Sequence, residues 1–326
     1  MLLVSIKYGH LYCFTFAMQS CIIRKAFSYS MRFDMNSKIY KGYIYAVLSA
    51  VIFGCMPLMA KYIYADGVSP MSLVFLRNLL ALPSLALLAW FQNKSLSVPL
   101  KALPSMALIA LIGCCVTPIL LFSSYQYIAS GTATVFHFIY PSIVVVAGIL
   151  FLKKKAQLGS IISVIICCVG VALFYTPGEP LDPTGSALAL ISGFTFAAYV
   201  LMLSSYKHNV TGFLFTFYLT AIASVLTLIV CLVSGSFTLP GSAFGWIMCI
   251  IFALLVTTGA VMLFQQATFI IGGERASILS TLEPTTSVIV GILVFHESAG
   301  LRTVAGSVLV ILASLLIALF DMKSKK

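Results

Sequence analysis

A stretch in the middle of this chain recurs near its end at one fixed offset, and both copies lie in apolar runs long enough to span a membrane. Pro141 corresponds to Pro284, a separation of 143 residues. At the same spacing Gly148-Ile149-Leu150 corresponds to Gly291-Ile292-Leu293, and Leu158 to Leu301. Ala133-Thr134 corresponds to Ala276-Ser277, and Ser142 to Thr285. No gap is needed between the copies. If each unit holds an odd number of spans, the two sit in the bilayer with opposite orientation. Two mirrored halves can then rock about one central site.

The apolar runs are a bulk property of the chain. Hydrophobic residues make up 61% and charged residues 8%, against about 45–50% and about 25% in soluble domains. The 326 residues have room for roughly ten helices of about 20 residues. In hydrocarbon each backbone group must bond within its own segment, so helices are the default. A membrane barrel would show short alternating strands, and the continuous runs here exclude it. The net charge of +11 invites a nucleic-acid reading, but its distribution argues otherwise. Most of the cysteines, including Cys114-Cys115 and Cys167-Cys168, sit inside apolar runs. Adjacent helical residues do not face each other, so these read as small packing residues.

Ten apolar segments are expected, at about 40–64, 71–91, 103–127, 132–152, 157–175, 184–205, 211–233, 243–270, 276–295 and 300–320. Turn pairs such as Asp66-Gly67, His208-Asn209 and Gly272-Gly273 separate them. The connections are short, so neighbouring helices are antiparallel. With the N-terminus in the cytoplasm, 16 of the 19 Lys and Arg fall inside, and only Lys61, Arg77 and Arg302 fall elsewhere. The basic charge is therefore a topology signal, and no nucleic-acid partner is expected. The fold class expected is an all-α integral membrane protein, ten transmembrane helices arranged as two inverted five-helix repeats. Residues 39–176 would form the first repeat and 177–326 the second. Residues 1–38 read as an N-terminal extension, too short to span, or as a start assigned too early at a chain that begins near Met35.

The polar residues inside these runs are the candidates for chemistry. Glu283 lies about eight residues into the ninth segment, about 12 Å from its inner boundary. That is near the midplane of a core about 30 Å thick. A carboxylate there must be paired, protonated or facing a watery cavity. It suits a substrate amine or a proton, or else bonds backbone loosened by Pro284. Arg77 lies about 10 Å below the outer boundary. It is a candidate partner for Glu283, a ligand for an anionic group, or a side chain snorkelling outward. His137 and Tyr140 are three residues apart on the fourth segment and share a face. Tyr140 is the repeat-mate of Glu283, so symmetry brings both to one central cavity. Tyr199 and Gln265, with Tyr125, Gln126 and Gln266, could line that cavity or link helices. Pro57, Pro83, Pro118, Pro141 and Pro284 fall within segments, where each frees a carbonyl and permits a kink. Neither a phosphate loop, nor zinc spacing, nor a nucleophile triad is present, so neither an ATP-driven pump nor an enzyme is expected. No cofactor and no metal is expected.

The two five-helix units, Phe53-Gly54, Phe75-Leu76-Arg77 and Glu283-Pro284 together resemble the drug/metabolite transporter superfamily, EamA type. The resemblance covers about residues 40–320. It implies export or exchange of small metabolites, amino acids or drugs through a central cavity. Export is the leading expectation; uptake or exchange in the same fold, and a lipid flippase subunit, are the rivals. A flippase would have a cavity open sideways to lipid with few central polar groups. The expected partners are a small-molecule substrate and the lipid bilayer. Proton coupling and a homodimer are left open. The expected location is the cytoplasmic membrane, with both termini inside.

Overall fold

The structure, a computed structural model, describes residues 37–93, 96–150, 158–173, 182–210, 212–295 and 300–324. The chain divides after Tyr40, and everything below concerns the larger unit, Lys41–Lys326. Most of the N-terminal extension, the lysines 153–155, the junction at 177–181 and His296–Ser298 lie outside the described residues.

All described elements are helical. Among the described residues, seven spans are long and apolar enough to cross a membrane: Ile39–Ala65, Pro70–Gln92, Leu100–Ser124, Thr132–Leu150, Pro183–Ser204, Gly212–Val233 and Ala243–Ile271. These occupy the positions of seven of the ten expected segments. The fifth is described as the shorter helix Leu158–Ala172, and the last has its apolar part at Val304–Leu316. The ninth is divided into Gly273–Ser280 and Leu282–Phe295.

Several spans are built from pieces. The first comprises α1 (Ser37–Gly54) and α2 (Met56–Ala65), broken at Cys55. The second is the continuous α3 (Pro70–Asn93). In the third, α4 (Leu103–Ile109) and α5 (Thr117–Ser124) flank a π-helical stretch, Ala110–Val116. The fourth consists of α6 (Ser130–His137) and α7 (Tyr140–Leu150). Then come α8 (Leu158–Ala172), α9 (Pro183–Ser204) and α10 (Gly212–Val233). A second π-helical stretch, Ala253–Val261, joins α11 (Ala243–Phe252) to α12 (Met262–Ile271). The chain ends in α13 (Gly273–Ser280), α14 (Leu282–Phe295) and α15 (Leu301–Ser324).

The irregularities repeat at the sequence offset. The two π-helical stretches start at Ala110 and Ala253, and α6 and α13 end at His137 and Ser280. Both pairs are 143 residues apart. Packing follows the same symmetry: α3 runs along its own repeat-mate α10, and α8 along its mate α15.

The prolines correct one expectation. Of the five, Pro83 lies inside a helix, and Pro118 lies in a helical run that continues unbroken from the π-helical stretch and frees a carbonyl as expected. Pro57, Pro141 and Pro284 fall within the first three residues of a helical piece that follows a break. A missing N–H costs nothing there, because first-turn N–H groups have no intrahelical partner. These prolines mark restarts of the helix rather than kinks within it.

Clasps join the repeats at two sets of loops. The Asp66–Ser72 segment holds the 236–242 segment by six hydrogen bonds. Ser69 N donates to Thr238 Oγ1 at 2.7 Å, and Ser69 Oγ to Ser236 O at 2.6 Å. Ser72 Oγ donates to Ser236 O at 3.1 Å and accepts from Thr238 N at 2.8 Å. Ser242 N donates to Asp66 Oδ2 at 3.1 Å, and Gly241 N to Asp66 O at 3.4 Å. The repeat-related clasp joins the end of α3 to the start of α10. There Phe213 N donates to Gln92 Oε1 at 3.1 Å, and Tyr218 Oη to Leu96 O at 2.8 Å.

Candidate functional site

The two broken spans deliver their polar residues to one cavity. His137 is the last residue of α6 and Tyr140 the first of α7; Ser280 ends α13 and Glu283 is the second residue of α14. All four line the same cavity, of about 60 Å³. That volume holds a few waters. Glu283 stands in the first turn of α14, where the positive end of the helix dipole favours a carboxylate.

Repeat symmetry accounts for most of the wall. Six pairs of lining residues are mates at the 143-residue offset: Phe53 with Phe196, Met56 with Tyr199, Pro118 with Val261, Leu121 with Phe264, His137 with Ser280, and Tyr140 with Glu283. The other five lining residues, Arg77, Gly113, Cys114, Thr117 and Phe122, all come from the first repeat. The cavity is thus symmetric in frame and asymmetric in charge. Arg77 has Thr220 as its mate, a buried residue that does not line the cavity.

Of the six residues singled out by sequence, Arg77, His137, Tyr140, Tyr199 and Glu283 line the cavity. Gln265 stands behind it. Its Nε2 donates to Tyr199 Oη at 2.9 Å, and its Oε1 accepts from Thr216 Oγ1 at 2.6 Å. The amide therefore fixes Tyr199 from the second repeat. Tyr199 packs so closely on Gly113 that a methyl group there would strike its ring. Gly113 lies in the π-helical stretch, whose wider turns also free carbonyls. Asn78 Nδ2 donates to Cys114 O at 3.3 Å, the carbonyl that Pro118 leaves without its usual i+4 donor. Thr117 Oγ1 donates to Ile112 O at 2.7 Å. In the second repeat, Ser49 Oγ donates to Ala260 O at 2.8 Å. Side chains thus satisfy backbone that has left the α-helical pattern, as an apolar surrounding requires.

His137 Nδ1 lies 2.8 Å from Ser192 Oγ, whose own proton goes to Ala189 O at 2.6 Å. Tyr140 stacks edge-on against Phe196 at 4.7 Å between ring centroids, and Phe196 lies 5.5 Å from Phe264. These rings, with Tyr199, form a continuous aromatic wall.

The cations and anions do not pair as the sequence suggested they could. Arg77 is only 5% exposed, its Nε has no hydrogen-bond partner, and its guanidinium carbon lies 5.7 Å from the centre of the Phe122 ring. Among the described residues no ion pair joins it to Glu283, which is partly exposed where it meets the cavity. Lys61 is exposed. Also among the described residues, no cluster of His, Cys, Asp or Glu is arranged to hold a metal ion.

Sequence reasoning passed over Phe196, Phe264 and Ser280. The signal was present: the fixed offset carries Phe53, Leu121 and His137 onto them. Asn78 and Gly113 had no signal, because their part follows from the π-helical geometry.

The EamA-like transporter family model matches residues 40–176 and 183–319, so its two copies are themselves offset by 143 residues. The chain is 20% identical over 288 residues to an uncharacterized transporter of Clostridium kluyveri, covering 85% of this chain and 92% of the relative. It is 24% identical over 297 residues to the uncharacterized inner membrane transporter YicL of Salmonella typhimurium, covering 86% of this chain and 95% of that one. A solved crystal structure matches with a TM-score of 0.71 at 13% identity, over 87% of this chain and 99% of the other, which is a likeness of fold alone.

Proposed function

The chain belongs to the EamA-like transporter family, as a multi-pass membrane protein, and on that premise we propose that it is a secondary transporter working by alternating access. It moves small organic metabolites across the cytoplasmic membrane, in the direction of export. In this reading ten spans form two inverted repeats with both termini in the cytoplasm. One observation carries the proposal: a largely apolar cavity that gathers Arg77, His137, Tyr140, Tyr199, Ser280 and Glu283, with most of its wall assembled from repeat-mates of both halves. Two halves that contribute equivalent residues can exchange their tilts around a fixed centre. The two clasps, related by the same offset, are the contacts that would open in turn.

The charged and hydroxylated wall weighs against the lipid flippase reading, which expects few central polar groups. The test uses liposomes that enclose a small-molecule extract of the host cell. Vesicles with the full chain should lose a defined subset of the extract faster than protein-free vesicles. Equal retention in both overturns the transporter reading. Uptake of the same compounds by cells that produce the protein would replace export with import.

A further inference from the structure

Arg77 carries a full positive charge that none of the described residues neutralises. It is buried, its Nε has no hydrogen-bond partner, and its guanidinium lies over the Phe122 ring. The ionisable groups within electrostatic reach of it are Cys114, Tyr199, Cys115 and Tyr64. Thiols and phenols ordinarily lose their protons near about pH 8.5 and about pH 10, so none of the four is a counter-charge at neutral pH. Glu283, elsewhere on the cavity wall, is not among these neighbours. The setting is apolar. Phe122 belongs to one buried cluster with Ile63, Phe75, Leu76 and Phe252, and Tyr64 packs against it. An uncompensated charge in such surroundings is the costly state. A second donor nearby has the same defect: the Tyr64 hydroxyl is shielded from solvent and has no hydrogen-bond partner.

Three occupants can be weighed against that demand. A water accepts from both donors, but it brings protons that need acceptors of their own and leaves the charge in place. The acid group of a passing solute neutralises Arg77 only while that solute is bound, and bares the charge at every release. A small anion accepts from both donors, adds no proton, and stays when the cavity empties. We infer that Arg77 and Tyr64 form the seat of a resident inorganic monoanion of the halide class, a structural counter-ion that is not itself the cargo. Arg77 supplies the charge and the Nε–H, and Tyr64 the O–H. The two residues stand on the successive helices α2 and α3. The adjoining cavity, of about 60 Å³, has room for an ion and a few waters. The seat belongs to the first repeat alone, because the mates of Tyr64 and Arg77 are Lys207 and Thr220. Burial of Arg77 calls for this ion whatever solute the protein carries.

The test follows thermal unfolding of the purified full chain in lipid nanodiscs while sodium chloride or sodium bromide replaces sodium gluconate at constant ionic strength. Both halides should raise the unfolding temperature saturably, by about 3 °C or more. Acetate, a small carboxylate, should raise it less. Tyr64→Phe should weaken halide affinity by roughly ten-fold, the loss expected for a hydrogen bond to a charged group, and Arg77→Gln should abolish the halide effect. In crystals of the unmodified chain grown in bromide, an anomalous peak should lie beside Arg77 Nε. An unfolding temperature indifferent to halide overturns the seat, and so does a halide effect that survives in Arg77→Gln. Stabilisation by acetate equal to that by the halides also overturns it, and makes Arg77 a ligand for the acid group of a solute. If Arg77→Gln does not fold, the bromide position decides: a peak beside Arg77 supports the seat and its absence overturns it. None of these readouts measures transport. Vesicles that fail to release metabolites would therefore overturn the transporter reading and leave the counter-ion standing.

Discussion

At the scale of single residues, Glu283 and Arg77 line one cavity without meeting. Glu283→Gln should therefore lower transport by about ten-fold or more while the protein still inserts. Because no ion pair joins the two among the described residues, adding Arg77→Gln should not restore transport. Rescue in the double variant would show instead that Glu283 serves only to neutralise Arg77. Gln265 is a positioning residue, acting through Tyr199. Gln265→Leu leaves the buried Tyr199 hydroxyl without its partner, a cost of about 1–3 kcal/mol, while Thr216 keeps its bond to Gly212 O. It should lower the unfolding temperature and weaken transport. Outside the spans, hydrogen bonds from Ser242 and Gly241 hold the Asp66 carboxyl below its ordinary value of 3.8. A lowered value means the carboxylate's contribution is complete above the ordinary range and is lost as pH falls through the folded value. Asp66→Asn should therefore change the unfolding temperature equally at about pH 6 and about pH 8. A difference that grows on acidification within that window would contradict this role.

At the scale of elements, the site is made where helices stop being regular. Tyr140 and Glu283 reach the cavity because a helix restarts beside each, and Tyr199 reaches it because the π-helical stretch at Gly113 leaves room for its ring. Gly113→Ala should destabilise the chain by about 1–3 kcal/mol, the range for overpacking. Tyr199 is almost wholly buried and has nowhere to retreat. Gly54 is a second close approach: a Cβ there would lie 2.6 Å from Thr286 Cβ and 2.8 Å from the Glu283 carbonyl oxygen. Gly54→Ala should therefore impair transport as well as stability. A full-rate Gly54→Ala transporter would show that α1 and α14 have slack at the cavity. Much of this was legible in the sequence. Apolar length located the spans, and the offset tied Tyr140 to Glu283. Proline gave the right places but, at Pro57, Pro141 and Pro284, the wrong device, since a lone Pro signals a kink and a restart equally well. The π-helical stretches were not legible, because widening a turn changes backbone pairing without changing the apolar pattern.

At the scale of the whole molecule, the two halves are tied by clasps that the proposed alternating access would have to open. Ser69 N lies 2.7 Å from Thr238 Oγ1 across the first clasp. In a background without the native cysteines, Ser69→Cys with Thr238→Cys should form a disulfide that stops transport, and reductant should restore it. Transport by the oxidised pair at the unlocked rate would remove this clasp from the cycle. In the proposed cycle one cavity is reached from each side of the membrane in turn. Cys114 lines that cavity and is a free thiol, so its reactivity reports access directly. The measurement is labelling of a chain that keeps Cys114 alone, with a membrane-impermeant thiol reagent, in sealed vesicles of both orientations. Labelling is expected from either side, each slowed by saturating substrate. Labelling from one side only, or from neither, would contradict it.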